Sequence, residues 1–328
     1  MKRRELLSGL PAVLAAPAFA QAPSGPKLLV FLTSFAKTNL VAAAEDQLRQ
    51  ELARLGWRDG DNLRLEFRYG DNRPQRLDEL ARELVALQPA AALALEQAAL
   101  RALMRHTTRV PIVVGFTSDP VASGLAASLR RPGGQVTGLT MQFEEIRPKT
   151  YELARKVAPS ARRLAGLFDR KAIPEAYFDA AMAGLRGMAQ QVGLEYLPLP
   201  VRDAGEIEPA LRALTPVREH VLLVNADELM FANYASTAAL ARALRLPSGS
   251  QHQDYVRSGG LFSYGPDMDA MWLRAVQMAD QVLRGKPAGE IPFEQPTRII
   301  LTLNRATAGA IGLTFPQELL LRADRVIE

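Results

Sequence analysis

The sequence of 328 residues contains no cysteine and only three histidines. The absence of cysteine excludes a disulfide framework, a thiol nucleophile, cysteine-bound zinc and a cysteine-linked lipid anchor, and it suits an oxidising compartment. His106 is expected at a helix end, His220 at the start of a buried strand and His252 in a polar loop. None stands at metal-ligand spacing from another histidine or a carboxylate, so each is expected to be structural.

Motifs for catalysis and nucleotide binding are also missing. There is no G-x-S-x-G elbow, no phosphate-binding Gly-Lys-Ser/Thr run and no dinucleotide glycine fingerprint after the first predicted strand. Acidic pairs such as Glu144-Glu145 fit surface or helix-start positions. We therefore expect a protein that is not an enzyme and needs no cofactor or metal.

The chain lacks long apolar runs, apart from a short one near its start. Lys2, Arg3 and Arg4 precede the apolar stretch 6–18, and residues 18–20 (Ala-Phe-Ala) form a small–x–small cleavage site. The stretch is shorter than the roughly 20 residues that span a bilayer. We predict a signal peptide over 1–20, cleaved after Ala20, and a periplasmic protein that is not membrane-inserted. The residues leave open whether export follows the Sec or the twin-arginine route.

The net charge of +5 is a small excess, and the basic residues are scattered. Pairs such as Arg130-Arg131 and Arg162-Arg163 are short and have no aromatic residues between them, unlike a nucleic-acid-binding surface. We expect no nucleic-acid partner.

Short β-type runs alternate with longer helical patterns along the rest of the chain, which predicts parallel α/β layers. One series runs from a strand at 28–32 to a strand at 136–141 and includes a helix over 120–129. A second series runs from a strand at 164–168 to a strand at 299–303. Two such series predict two similar lobes, each a parallel sheet flanked by helices.

The predicted lobes are connected by short crossings near 142–145, 265–269 and 295–297, which is typical of a hinge. With these crossings as limits, we assign 27–142 plus 267–294 to an N-terminal lobe and 143–266 plus 295–328 to a C-terminal lobe. A cleft between two lobes is a favoured place for a small-molecule site.

Polar and aromatic residues stand at the carboxyl ends of the predicted strands, where parallel α/β sheets bind ligands. Their hydroxyls, amides, carboxylates and rings suit a small polar or zwitterionic solute. Some fit a helix N-cap equally well, Asp119 before Pro120 most clearly. The candidate ligand-binding residues are Thr33, Ser34, Glu96, Gln97, Phe116, Thr117, Asp119, Gln142, Phe143, Asp169, Arg170, Asn225, Asp227, Glu228, Ser263 and Tyr264.

Four segments have a recognisable pattern: TSDPVASGLAASLRRPGGQVTGL at 117–139, GGLFSYG at 259–265, the turn at 56–62 and the C-terminal run from 305 to 328. Together they resemble the bacterial ABC-transporter substrate-binding family that includes tryptophan/tyrosine-binding lipoproteins. The resemblance covers nearly the whole chain. It implies a type I periplasmic-binding fold with a multi-strand hinge, and delivery of a captured solute to an ABC permease and its ATPase.

The resemblance places ligand at the ends of the first, third and fourth strands of the N-lobe. It places facing contacts after the first and third strands of the C-lobe and at the Ser-Tyr-Gly segment. This chain departs from the family at Glu96-Gln97, where members carry small residues, and at 169–173, so we expect an altered pocket. Arg170 would pair with a ligand carboxylate if it points inward, and it is a surface charge if it points outward.

Together, these features predict the periplasmic solute-binding component of an ABC importer, a monomer that captures a small polar solute. An amino acid or an aromatic carboxylate is the favoured ligand. The alternative is a periplasmic sensing subunit for a membrane receptor, because both roles use the same ligand-driven closure of two lobes.

Overall fold

The computed structural model describes residues 25–141 and 143–328, without the side chains at positions 39, 143 and 144. The predicted signal peptide and Gln142 lie outside the described residues.

Two separate sheets form within these residues. The first has five parallel strands in the order β2-β1-β3-β4-β5. Its strands are Lys27–Thr33 (β1), Leu63–Tyr69 (β2), Ala91–Glu96 (β3), Ile112–Thr117 (β4) and Val136–Thr140 (β5). Because all of them run the same way, their carboxyl ends meet at one edge of the sheet.

Four helices cover the first sheet. Asn39–Arg54 (α1) and Met268–Leu283 (α9) pack on one face, and Pro74–Ala86 (α2) and Gln97–His106 (α3) pack on the other. The buried positions of α2 are Leu77, Leu80, Ala81 and Leu84, which is the spacing of a single apolar helix face.

The second sheet has seven strands in the order β12-β11-β10-β9-β8-β6-β7. They are Arg163–Asp169 (β6), Glu195–Val201 (β7), His220–Val224 (β8), Ser248–Ser250 (β9), Phe262–Pro266 (β10), Ile299–Asn304 (β11) and Arg325–Ile327 (β12). Strand β11 runs antiparallel to β10, whereas the other pairs are parallel. The expectation of a purely parallel sheet is therefore wrong at this one pairing.

Helices cover both faces of the second sheet as well. Phe143–Val157 (α4), Glu175–Gln191 (α5), Arg305–Ile311 (α10) and Gln317–Arg322 (α11) pack on one face. Ile207–Arg212 (α6), Glu228–Ala243 (α7) and Gln253–Arg257 (α8) pack on the other. The predicted α/β class, with two lobes that each hold a sheet between helices, is confirmed.

The chain passes between the sheets three times: from β5 to α4, from β10 to α9, and from the segment 291–294 to β11. Helix α9 directly follows β10 of the second sheet but packs on the first sheet. The segment 291–294 is held to β5 by the bond from the Thr140 N–H to the Glu294 carbonyl, at 2.9 Å. These crossings support the proposed lobes, 27–142 plus 267–294 and 143–266 plus 295–328, whose limits stay a prediction.

Some elements differ from the sequence prediction. Residues 120–129 form turns instead of a helix, because Gly124 adopts a left-handed φ of +72° and the chain folds back so that the Ala127 N–H reaches the Pro132 carbonyl. The apolar pattern predicts a helix over 234–244, but α7 begins six residues earlier, at Glu228. Helices α4, α8, α10 and α11 and strands β9 and β12 were not predicted.

Among the helices of the described residues, none combines the length and apolar composition needed to cross a bilayer.

Candidate functional site

The carboxyl edge of the first sheet is organised around Glu96, the last residue of β3. Its carboxylate accepts from the Thr33 hydroxyl at 2.9 Å and from the Ser34 backbone N–H at 2.7 Å. It also caps α3 by accepting from the Ala99 N–H. Three of the predicted site residues are therefore joined, because β1 and β3 are neighbours whose ends coincide.

Burial raises the pKa of Glu96 to about 7, because the charged form loses water at a position only 9% exposed. The bonds from Ser34 and Thr33 oppose this shift, and the charge of Glu228 from the second lobe adds to it. Near neutral pH the carboxyl group is therefore poised between its two forms. A ligand cation placed beside it would favour the ionised form.

The neighbouring strand ends add hydroxyl and amide groups. The side-chain oxygen of Gln97 accepts from the Ser118 hydroxyl at 2.9 Å. Thr117, the last residue of β4, is buried, and its hydroxyl has no partner among the described residues.

The facing edge, in the second sheet, is organised around Asp227. Its carboxylate accepts from the Asp169 backbone N–H at 3.0 Å, from the Asn225 amide at 3.3 Å and from the Met230 N–H at 3.0 Å, which caps α7. This cap explains why α7 begins at Glu228. The bonds bring together the predicted residues that follow β6 and β8.

Asp227 and Glu228 both have raised pKa values. Burial is the main cause for Asp227, whereas its bonds from Met230 and Asp169 act in the opposite direction. For Glu228, which still contacts solvent, partial desolvation raises the pKa first and the nearby charges of Asp227 and Asp169 add to it. Glu228 also raises the pKa of Glu96, so the charge of a carboxyl group in the second lobe acts on the carboxyl group of the first.

Aromatic rings connect the two edges. Phe35, just after β1, lies against Phe231 of α7, with ring centroids 5.7 Å apart. Phe231 in turn contacts Tyr234 at 4.9 Å and His252 at 4.3 Å. His252 is buried, and this burial lowers its pKa, so its imidazole is neutral at pH 7.

Phe35, Phe231 and His252 were not among the predicted site residues. Phe35 directly follows the predicted Ser34, so its position was open to inference. Phe231 was hidden because the predicted helix began after it, and His252 was expected in a polar loop but is buried at the start of α8.

Other predicted residues have different surroundings. Phe116 packs on Trp272, with centroids 6.3 Å apart, and Asp119 caps the turn that follows it. Ser263 is buried within β10, and Tyr264 lies half-buried against the apolar core under α4 and α5. Phe143 is the first residue of α4, and Gln142 is not described.

Arg170 is held by its own lobe. Its guanidinium pairs with Glu175, donates to the Ile173 carbonyl at 2.9 Å and lies 4.0 Å above the Phe178 ring. The sequence offered two orientations, inward to a ligand carboxylate or outward as a surface charge. In the structure Arg170 instead contacts residues of its own lobe.

The edges together present carboxylates, hydroxyls and rings to the space between the lobes. Such a set binds and orients a small polar molecule, and it suits a ligand that carries an ammonium group. Within residues 25–141 and 143–328, no cluster of three or more histidine, aspartate or glutamate side chains is arranged to hold a metal ion.

Comparison with known proteins adds sequence and structural relatives. The family described as "ABC transporter substrate binding protein" matches residues 32–327. A "Tyrosine-binding protein" of Clostridioides difficile (strain R20291) is 26% identical over 278 residues, which cover 85% of this chain and 76% of that protein.

Solved structures share the fold over most of the chain. A conserved domain protein of Vibrio cholerae superposes with a TM-score of 0.79 at 21% identity, over 92% of this chain and 99% of the other. A domain of Streptococcus pneumoniae in complex with L-Trp gives 0.78 at 19% identity, over 92% and 100% of the two chains. A glucose-galactose binding protein of Geobacillus stearothermophilus gives 0.57 at 11% identity, over 84% and 96%. These likenesses confirm the type I periplasmic-binding fold.

Proposed function

This chain belongs to the ABC transporter substrate-binding protein family, and from that premise we propose that it captures a free amino acid in the cleft between its lobes. The mature protein is exported to the periplasm after cleavage of residues 1–20, acts as a monomer and delivers its ligand to an ABC permease and its ATPase.

The observation that carries this proposal is the contact of Phe35 with Phe231 between the lobes. It is supported by the charge of Glu228, which raises the pKa of Glu96 in the other lobe. Facing carboxyl groups repel each other when both are ionised, so an empty closed cleft is disfavoured. A ligand ammonium group between them removes that repulsion. Closure then follows ligand binding, since the ligand interacts more favourably with the closed state than with the open one.

The ligand class also has support from relatives. One relative is named for tyrosine and one structural neighbour holds L-Trp. The aromatic rings that line the cleft fit an amino acid with an apolar or aromatic side chain.

A thermal-shift panel of the twenty amino acids, together with sugars and aromatic acids, tests the ligand class. We expect saturable stabilisation by one or a few amino acids, followed by calorimetric titration to obtain the Kd. Stabilisation by sugars alone, or by aromatic acids that lack an amine, would contradict the proposal.

Export and delivery need separate measurements. The N-terminal sequence of protein recovered from periplasmic extract is expected to begin at Gln21. Deletion of the coding sequence is expected to abolish uptake of the same radiolabelled amino acid that shifts the melting temperature. Unchanged uptake in the deletion strain would argue against the import role.

A further inference from the structure

A small cavity lies in the second lobe beneath the start of α4, with a volume of about 50 Å³. It extends from Gly166, in the middle of β6, to the carboxyl edge of the sheet, where Asn225 and Gln251 directly follow β8 and β9. One end of the cavity therefore lies at the edge that faces the first lobe. Its polar lining consists of Arg147, Thr150, Tyr151, Tyr196, Asn225 and Gln251.

The Tyr196 hydroxyl reaches this cavity because β6 has a glycine at its centre. The side chain crosses from β7 over β6, and a Cβ atom at position 166 would overlap the hydroxyl. Tyr196 is only 7% exposed and lines the cavity. A phenol hydroxyl can donate a hydrogen bond, so this group is suited to a ligand atom that accepts one.

Arg147, in the first turns of α4, also lines the cavity. Tyr151, one turn further along, stacks on Tyr196 with ring centroids 6.5 Å apart. Burial raises the pKa of Tyr151 to about 12, and the charge of Arg147 opposes that shift, which places the guanidinium beside this phenol. None of the ion pairs between described side chains involves Arg147.

A guanidinium and two phenol hydroxyls offer mainly hydrogen-bond donors, and a carboxylate accepts only. The cavity is much smaller than the roughly 150 Å³ that holds a benzene ring. An anionic group of a few atoms therefore fits it, and an aromatic side chain does not.

We propose that this cavity receives the carboxylate of the amino acid, with Arg147 and the Tyr196 hydroxyl as its donors. This inference rests on the proposed function and specifies the orientation of the ligand. The ammonium group then faces Glu96 and Glu228, and the side chain faces Phe35 and Phe231. The basic residues after β6 do not compete for this role, because Arg170 pairs with Glu175 and Lys171 donates to the Arg202 carbonyl.

The test compares ligands with and without a carboxylate. L-Tryptophan and L-tyrosine are paired with tryptamine and tyramine, and the Kd of each is measured by calorimetry for the wild type, Arg147→Met and Tyr196→Phe. Lys149→Met is the matched control, because Lys149 is a cation on the same helix that pairs with Glu152 at the surface.

We expect Arg147→Met to raise the Kd of the amino acids by about 10- to 100-fold and to change the Kd of the amines by less than about twofold. Tyr196→Phe is expected to act in the same direction with a smaller effect, and Lys149→Met to change neither ligand class. If Arg147→Met weakened amino acids and amines equally, or weakened neither, the proposal would be overturned while the proposed function stood. Circular dichroism checks folding, and Arg147→Lys replaces the variant if Arg147→Met does not fold.

If none of the twenty amino acids binds the wild type, acetate supplies a separate readout. Saturable stabilisation by acetate that Arg147→Met abolishes and Lys149→Met preserves would support the cavity as a carboxylate site, although the proposed function would then fail. Stabilisation by acetate that does not depend on Arg147, or no stabilisation, would overturn the inference.

Discussion

The two facing edges of the cleft are built from the same kind of strand ends, but they offer different chemistry. At the first lobe, Glu96 accepts bonds from its own lobe and places a buried carboxyl group at the rim. At the second lobe, Asp227 and Glu228 also contribute carboxyl groups, but beside them a cavity lined by Arg147 and two tyrosines offers donors. One edge thus suits a cation alone, and the other suits both ends of a zwitterion.

This difference shows how a binding site can be divided between lobes. In the proposed binding mode, carboxyl groups of both edges interact with the ligand ammonium group, so that half of the site requires both lobes. The donor-lined cavity is built from residues of the second lobe alone. A ligand that binds both the carboxyl groups and the cavity is therefore recognised only as the lobes close around it.

The largest expected effect concerns the pH dependence of the first edge. The folded-state pKa of Glu96, about 7, exceeds its ordinary value of 4.5. The protonated form therefore contributes stability that is complete below about pH 4.5 and is lost as the pH rises through about 7. Replacing Glu96 by Gln should reduce the loss of unfolding free energy between pH 5 and pH 8 by roughly 2–3 kcal/mol.

Urea unfolding of both proteins at several pH values measures this difference. Glu79→Gln, on the exposed face of α2, is the matched control and should keep the wild-type profile. Parallel profiles for the wild type and Glu96→Gln would show that Glu96 does not titrate with a raised pKa.

The next effect separates the roles of the edges in ligand affinity. Glu96→Gln should raise the Kd of the amino acid and of its decarboxylated amine alike, by about 10- to 100-fold, because both ligands carry the ammonium group. Arg147→Met should affect the amino acid only. If Glu96→Gln acted on the amino acid alone in calorimetric titrations, the assignment of the ammonium group to this edge would be wrong.

A smaller effect is expected from the rings that connect the lobes. A double-mutant cycle of Phe35→Ala and Phe231→Ala should give a coupling of about 0.5–1.5 kcal/mol in ligand binding, because the rings meet when the lobes close. Tyr177→Ala, an exposed ring on α5, replaces Phe231→Ala in a control cycle and should give no coupling. Additive effects of Phe35→Ala and Phe231→Ala would mean that these rings do not meet in the bound state.

The smallest effect concerns Arg170, whose guanidinium group is held by residues of its own lobe. Arg170 is held by Glu175, Ile173 and Phe178, so Arg170→Met should change the Kd of the amino acid by less than about threefold. A loss of tenfold or more in the same titration would show that Arg170 turns to the ligand.

The sequence was most informative where periodicity and strand ends act together. The sequence pattern predicts a strand over 63–69 and a helix over 268–283, and β2 and α9 occupy these residues. An alternating strand and a long amphipathic helix leave little freedom in the position of either element. The groups around Glu96 and Asp227 were predicted because the ends of parallel strands share one edge. The α/β class with two lobes followed from the alternation, whereas the type I periplasmic-binding fold was implied by the family resemblance.

The remaining features depend on tertiary contacts that local patterns do not contain. Residues 120–129 have the apolar spacing of a helix, but Gly124 and the return to β5 impose turns. Arg147 and Tyr196 are far apart in sequence, and their meeting depends on a glycine at position 166 of an intervening strand. No local motif marks such a cavity, so the proposed donors Arg147 and Tyr196 were not among the residues predicted from the sequence.

Native mass spectrometry of the mature protein, purified gently from its own periplasm, tests the central claim most directly. The account predicts a bound species with the mass of a free amino acid, retained by Glu79→Gln and Lys149→Met and lost or strongly reduced in Glu96→Gln and Arg147→Met. A bound sugar, or an amino acid retained equally by all four variants, would contradict it.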